Sequence, residues 1–298
     1  MAEIKQLKRP SFSQQELVLF SATILWGITF LVTHTAVRYS GPLFFIGFRF
    51  IVASFMCGMI FGRSMKGITA YEIFAGIAVG FAMFLGYALQ ASGLQTIISS
   101  QSAFITALYV PMVPILQWII FKKSPRLTSW IGIIFAFVGL MFVSGQGIKG
   151  IHFSKGEILT LLGALAIAVE IILIGFFASK VNSYRITIVQ LFFASFCSFS
   201  CMPLIGESIP AFSWVWVSVG MGLALMSAVI QLAMNWAQKS ISPTRATLIY
   251  AGEPVWAGIV GRLAGEHLSP LALLGGLFIL IGIVVAELQP SQWRKKIK

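Results

Sequence analysis

Ten stretches of mainly apolar residues follow one another along the chain with only short connections between them, at residues 17–36, 43–61, 71–93, 103–121, 128–143, 158–178, 186–205, 214–237, 246–263 and 271–288. A membrane-spanning helix needs about 17–25 such residues, because hydrocarbon offers no partner to an unpaired backbone N–H or C=O. Composition leaves few alternatives. Hydrophobic residues make up 58% of the 298 and charged residues only 10%, whereas soluble domains carry about 25% charge. One soluble core of this length could not hide that much apolar surface. The expected class is an all-α integral membrane protein. No connection is long enough to fold alone, so function must reside in the bundle. A polar segment over residues 1–16 precedes a first span too long for a cleavable signal, whose apolar core is about 7–15 residues. The first span is therefore expected to stay.

The net charge of +12 would suit nucleic acid if it were clustered, but its distribution reads as orientation. With the N-terminus cytoplasmic, inside segments hold sixteen Lys and Arg, from Lys5 to the tail residues Arg294, Lys295, Lys296 and Lys298. Outside segments hold four, Arg38, Lys149, Lys155 and Arg262, and Arg49 is left inside a span. Both termini are expected in the cytoplasm, the protein in a bacterial inner (plasma) membrane, and no nucleic-acid partner is implied. Cys57, Cys197 and Cys201 lie in apolar stretches without metal-ligand or redox spacing and read as packing residues.

The chain also repeats itself. A shift of 143 lays Gln95 on Gln238, Ala103 on Ala246, Pro111 on Pro254, Gly132 on Gly275 and Gly139 on Gly282. Nearer the front a shift of 141 lays Glu16 on Glu157 and Ala53-Ser54-Phe55 on Ala194-Ser195-Phe196. Two five-helix repeats result, at residues 17–145 and 157–288, with an external joint at 146–156 and a basic cytoplasmic tail at 289–298. Five is odd, so the second repeat must enter the membrane from the opposite side. The expectation is ten transmembrane helices as two inverted-topology repeats, an arrangement common among secondary transporters.

Several motifs carry a family likeness: Trp26-Gly27, Gly47-Phe48-Arg49-Phe50, Gly252-Glu253-Pro254-Val255, and Gly265-Glu266-His267-Leu268-Ser269-Pro270 leading to Gly275-Gly276. In this order, and with the repeat, the chain from Leu17 to Leu288 resembles the EamA-type transporters of the drug/metabolite transporter superfamily. The resemblance implies a ten-helix inverted repeat that moves small metabolites, often amino acids or related compounds, frequently outward. The first half departs from it at Lys122-Lys123-Ser124, where many members carry an acidic residue.

Ionisable groups at membrane depth cost roughly 3 kcal/mol each and need a reason. Glu253 sits mid-span before Pro254, a residue that removes a backbone donor and favours a kink. It shares a face with Ala246, Tyr250 and Ala257, as a pocket wall would. The competing reading is a structural Glu that pairs with Arg49 or caps a broken helix. Glu170 stands alone in the sixth span, and its repeat counterpart is Thr29. A carboxyl alone among apolar residues is costly as a charge, so Glu170 is the candidate proton carrier; the alternative is a neutral interhelical hydrogen-bonding group. Arg49 is placed as a structural or gating residue that snorkels outward or pairs with either Glu, and its repeat counterpart is Gln190. Polar stripes occur at Ser227, Gln231, Asn235 and Gln238, and at Gly80, Met83, Tyr87 and Gln90; such stripes face partner helices or a wet interior, and four polar residues in the first one make a water-accessible cavity the expectation. The candidate substrate cavity is thus lined by Trp26, Tyr87, Gln90, Tyr109, Glu170, Ser227, Gln231, Asn235, Tyr250 and Glu253, with Pro111 and Pro254 as gating elements. Trp214, Trp216 and Trp236 read as interface anchors, and His34 as a solvated helix-end residue.

No acidic cluster accompanies the three histidines, so neither a metal nor a cofactor is expected, and no phosphate-binding Gly-Lys-Ser/Thr motif points to ATP. The function expected is a secondary transporter, a monomer or homodimer in lipid, that moves a small-molecule substrate with protons or without. Competing classes are an intramembrane lipid or isoprenoid enzyme, which would want a nucleophile–base or acidic cluster, and a scaffold or sensor.

Overall fold

The computed structural model describes residues 13–122, 127–143 and 153–287. Most of the joint, the C-terminal tail and the basic residues Lys123, Arg126 and Lys149 lie outside the described residues. Within them the chain is helical throughout, with no strand. In chain order the α-helices are α1 (Gln14–Ala36), α2 (Pro42–Phe61), α3 (Ala70–Gly93), α4 (Ser99–Thr106), α5 (Tyr109–Phe121), α6 (Leu127–Val143), α7 (Lys155–Phe177), α8 (Ser183–Cys201), α9 (Trp214–Ala237), α10 (Pro243–Tyr250), α11 (Glu253–Leu263) and α12 (Pro270–Glu287). Seven stretches are long and apolar enough to cross a membrane: Gln14–Ala36, Pro42–Met65, Ala70–Gly93, Ser99–Ile120, Lys155–Lys180, Ser183–Ile205 and Trp214–Ala237. Two shorter apolar helices, Trp130–Val143 and Pro270–Val285, accompany them. This is a membrane protein.

Helix starts are written in the sequence. Ser13 with Glu16, Thr69 with Glu72 and Ser154 with Glu157 each form a capping box, the hydroxyl accepting from the third helical N–H while the carboxylate accepts from the cap N–H. Ser13 and Ser154 are repeat counterparts, so α1 and α7 begin by the same device.

The fourth and ninth apolar stretches, expected as single helices, are each divided in two. α4 gives way to α5 at Ala107–Leu108, and α10 gives way to α11 at Ala251–Gly252. The cause is the repeat-related proline just beyond each break. Pro111 and Pro254 have no N–H to offer the carbonyl four residues earlier and crowd it with the ring. The chain tightens there, with Leu108 N–H bonding to Ile105 O (3.1 Å) and Gly252 N–H to Ile249 O (3.2 Å), both three residues back. Pro114, inside α5, does not end the helix.

Packing pairs the two halves in reciprocal fashion. α1 packs on α9 as α7 packs on α3, and α11 on α1 as α5 on α7. Ser54 Oγ donates to Ile188 O at 3.0 Å, and its counterpart Ser195 Oγ donates to Gly47 O at 2.8 Å, so α2 and α8 run antiparallel with the same bond made twice. α6 and α12 also run antiparallel. A Cβ on Gly139 would stand 2.5 Å from Gly275 O, and one on Gly282 would stand 2.6 Å from Gly132 O. Only glycine permits that approach, which is how small residues drive helix association in lipid.

Candidate functional site

The two helix breaks face each other in the centre of the bundle. Tyr109 opens α5 and Glu253 opens α11, and the Tyr109 hydroxyl donates to Glu253 Oε2 at 3.0 Å. Trp26 of α1 stacks against Tyr109 with ring centroids 6.4 Å apart and meets Tyr250 edge-on at 5.5 Å. Tyr250, the last residue of α10, accepts from Gln238 Nε2 at 3.4 Å. Four of the expected cavity residues thus form one buried corner: an indole and two phenols around a carboxyl. Glu253 Oε1 and Trp26 Nε1 are both buried and have no partner among the described residues. A buried polar atom left unpaired costs roughly 1–3 kcal/mol, so both are groups for which a ligand would supply the missing bond.

A second polar group lies across the interior. Glu170 of α7 accepts from Gln231 Nε2 at 2.9 Å, and Gln231 Oε1 accepts from Gln190 Nε2 at 2.8 Å. Gln190 Oε1 in turn accepts from Asn235 Nδ2 at 3.1 Å, and the same amide reaches Thr187 Oγ1 at 3.0 Å. A chain of amides therefore runs from the carboxyl of α7 through α9 to α8. Its members are almost fully buried. The α9 stripe is bonded to partner helices here, and Glu170 Oε2 remains buried without a partner.

Arg49 of α2 is held by residues of α9 and α3. It is neither turned outward nor paired with a carboxylate. At 2% exposure it donates from Nε to Ser227 Oγ, and its guanidinium stands 5.3 Å from the Tyr87 ring centre and 5.5 Å from that of Phe50. Among the described residues no carboxylate lies within 4 Å of it; the ion pairs there are Arg185–Glu72, Arg245–Glu16 and His34–Glu266. Tyr87 also meets Phe50 edge-on at 5.3 Å, so α2 and α3 together enclose the guanidinium. Ring faces attract a cation at this range, which holds the guanidinium without a counter-ion.

Gln90 stands apart from the corner. Its Nε2 donates to Thr106 Oγ1 at 3.1 Å, tying α3 to the end of α4. Trp216 is not an interface anchor: it is 8% exposed, packs edge-on against Phe44 and Phe48, and donates to Ala211 O at 3.0 Å. Trp214 is 74% exposed, as an anchor would be. His34 is held rather than solvated, between Arg38 Nη2 at 3.1 Å and Glu266 Oε1 at 3.7 Å. Gln190 and Thr187 are site residues absent from the sequence-derived set; the one signal for Gln190 was its place opposite Arg49 in the repeat. No group of three or more His, Cys, Asp or Glu that could hold a metal occurs among the described residues.

Comparison with known proteins bears on what this interior serves. Residues 15–145 and 154–288 each match the EamA-like transporter family. An uncharacterized transporter of Archaeoglobus fulgidus is 27% identical over 275 residues, covering 92% of this chain and 86% of the relative. The uncharacterized transporter YyaM of Bacillus subtilis is 24% identical over 289 residues, 91% of this chain and 92% of its own. One crystal structure, 18% identical, superposes with a TM-score of 0.66 over 93% of this chain and 99% of that one, which shows a shared fold.

Proposed function

The chain belongs to the EamA-like transporter family, and from that premise we propose that it moves a small metabolite, an amino acid or related compound, across the membrane by alternating access, in the outward direction. The observation that carries this reading is the meeting of two broken helices at a buried carboxyl. Discontinuous helices at matching places of two repeats line the substrate region in many transporters, because the break frees backbone and side-chain groups at membrane depth. Here both breaks converge on Glu253, Tyr109, Tyr250 and Trp26.

In this proposal ten helices cross the membrane as two inverted repeats, with both termini cytoplasmic. Support comes from the antiparallel run of the counterpart pairs α2–α8 and α6–α12 and from the distribution of Lys and Arg. α10 and α11 together make the ninth span, and α6 and α12 the two short ones.

Glu170 is the proposed proton carrier and Glu253 the group that shapes the pocket. Among the described residues each carboxyl has one bonded and one unpartnered oxygen, and neither has a fixed cationic partner. Such a carboxyl can hold a proton in one state of the cycle and release it when a cation approaches. The test is accumulation driven by a pH gradient in proteoliposomes. Glu170→Gln keeps shape and hydrogen bonding while fixing the neutral form, and should abolish gradient-driven accumulation yet leave passive exchange. An unchanged response to the gradient in that variant would make Glu170 structural.

A further inference from the structure

Resting on the transport reading, the first turn of α4 is fastened in a way that the first turn of its repeat counterpart α10, among the described residues, is not. The loop between α11 and α12 carries Glu266, whose carboxylate grips the first turn of α4. Oε1 accepts from the Ser99 N–H at 2.9 Å and the Ser99 hydroxyl at 2.7 Å. Oε2 accepts from the Ser100 N–H at 3.0 Å and from the Ser100 hydroxyl at 2.5 Å. Two backbone donors at a helix N-terminus and two hydroxyls thus converge on one negative charge, the arrangement that favours an anion there. Ser99 and Ser100 are 0% and 1% exposed, so water competes poorly for these bonds.

The surrounding backbone is shaped for this grip. Glu266 N–H bonds back to Gly261 O at 2.9 Å, and Gly265 turns the chain at φ +89°. A Cβ on Gly261 would stand 2.1 Å from Ser100 Oγ and 2.5 Å from Glu266 Oε2. A second tie closes the same end: Gln101 Nε2, in the next position of α4, donates to Glu157 Oε1 at 2.8 Å.

The repeat makes α10 the counterpart of α4, and there the fastening differs. The first turn of α10 is capped by its own Ser242, which accepts from Arg245 N–H at 3.4 Å. Its ties among the described residues are the Arg245–Glu16 pair to α1, whose arginine side chain is 66% exposed and so screened by water, and a single neutral bond from Thr244 Oγ1 to Gln117 Oε1 of α5 at 2.9 Å.

We infer that Glu266 is a positioning residue of the transport cycle, a clamp that keeps the α4 end of the bundle shut so that the resting protein opens first at the α10 end. In the proposed orientation that end faces the cytoplasm, where an exporter loads.

The test uses the full chain in proteoliposomes, in a background without the three native cysteines. Single cysteines report on the two ends: Ser102→Cys in α4, where the native hydroxyl is buried and unpartnered, and Ala246→Cys in α10. A small polar thiol reagent is applied to each without substrate. Glu266→Gln should raise the labelling rate of the α4 probe about tenfold or more, since charge-assisted bonds to buried donors are lost. The α10 probe should keep its rate within about twofold. The Ser99→Ala/Ser100→Ala pair leaves the carboxylate in place and should give an intermediate rise, which decides the matter if Glu266→Gln fails to fold. Unchanged labelling of the α4 probe in both variants, or an equal rise at both ends, would overturn the clamp. Loss of the clamp effect with metabolite flux intact refutes the clamp alone, whereas absence of flux in the unmutated protein refutes the transport reading itself.

Discussion

Tyr109 and Glu253, each the first residue of a helix that resumes after a break, meet across the two halves of the chain at 3.0 Å. Neither side chain has the other as its repeat counterpart, for Tyr109 stands opposite Gly252 and Glu253 opposite Val110. The contact is therefore one that each half supplies differently, at the place where both backbones are interrupted.

Tyr109→Phe removes the one donor to Glu253 and leaves its carboxyl buried with both oxygens unpaired. A loss of about 1–3 kcal/mol in stability is expected, measured as a lowered melting temperature in detergent. Because the two residues act as a pair, combining it with Glu253→Gln should cost less than the sum of the single changes. Strict additivity would mean that the hydrogen bond does not contribute.

The amide chain predicts conditional access. Gln231 and Asn235 are each 1% exposed and bonded to α7 or α8. A cysteine at either place should resist a polar thiol reagent in the resting protein and react when substrate or a gradient drives the cycle, since thiolate chemistry needs water. Protection in every condition would leave the stripe as helix-packing structure alone.

Glycines of the α6–α12 pair should be intolerant, while one facing open space should not be. Gly139→Ala places a methyl carbon 2.5 Å from Gly275 O, and overpacking of that kind costs about 1–3 kcal/mol. Nothing lies within 4 Å of a Cβ at Gly222, so Gly222→Ala should lose nothing and gain up to about 1 kcal/mol of helix propensity. Thermal unfolding of the two variants side by side reads both.

Glu266 fixes a pH dependence. Burial alone pushes its carboxyl up, but the bonds from His34, Ser100 and Ser99 outweigh burial and hold it down at about 2. A folded value below the unfolded one stabilises fully above the ordinary carboxylate range near about 4.3 and is lost as pH falls toward the folded value. The stability difference between the native chain and Glu266→Gln should therefore be flat from about pH 6 to 8 and shrink only below about 4. A difference that vanishes near neutrality would contradict this hold on the carboxylate.

The apolar helices and the two halves were legible because each has a local cause, apolar run length and matching residues at a fixed shift; the prolines marked where a helix bends, but not that the fourth and ninth stretches each divide into two helices. The aromatic corner was legible in part, since Glu253 and Tyr250 share a face of the ninth stretch. The lateral contacts were not. Whether Arg49 turns outward, to a carboxylate or onto Tyr87 depends on how α2 is rotated against α3 and α9, which helical spacing alone does not specify. Gln190 and Thr187 become site residues only because α8 presents them to Asn235. Glu266 grips α4 across 166 and 167 positions of sequence, a distance no local pattern bridges.

The central claim is that this chain alone carries a metabolite through the corner at Glu253. Proteoliposomes holding only the purified protein, loaded with a cell-derived metabolite mixture and followed by mass spectrometry of what leaves, test it most directly. The account predicts that one compound or a few related ones leave liposomes with the native chain, and that Glu253→Gln liposomes retain them. Release from native liposomes indistinguishable from that of protein-free ones, across the whole mixture and with or without a pH gradient, would contradict it.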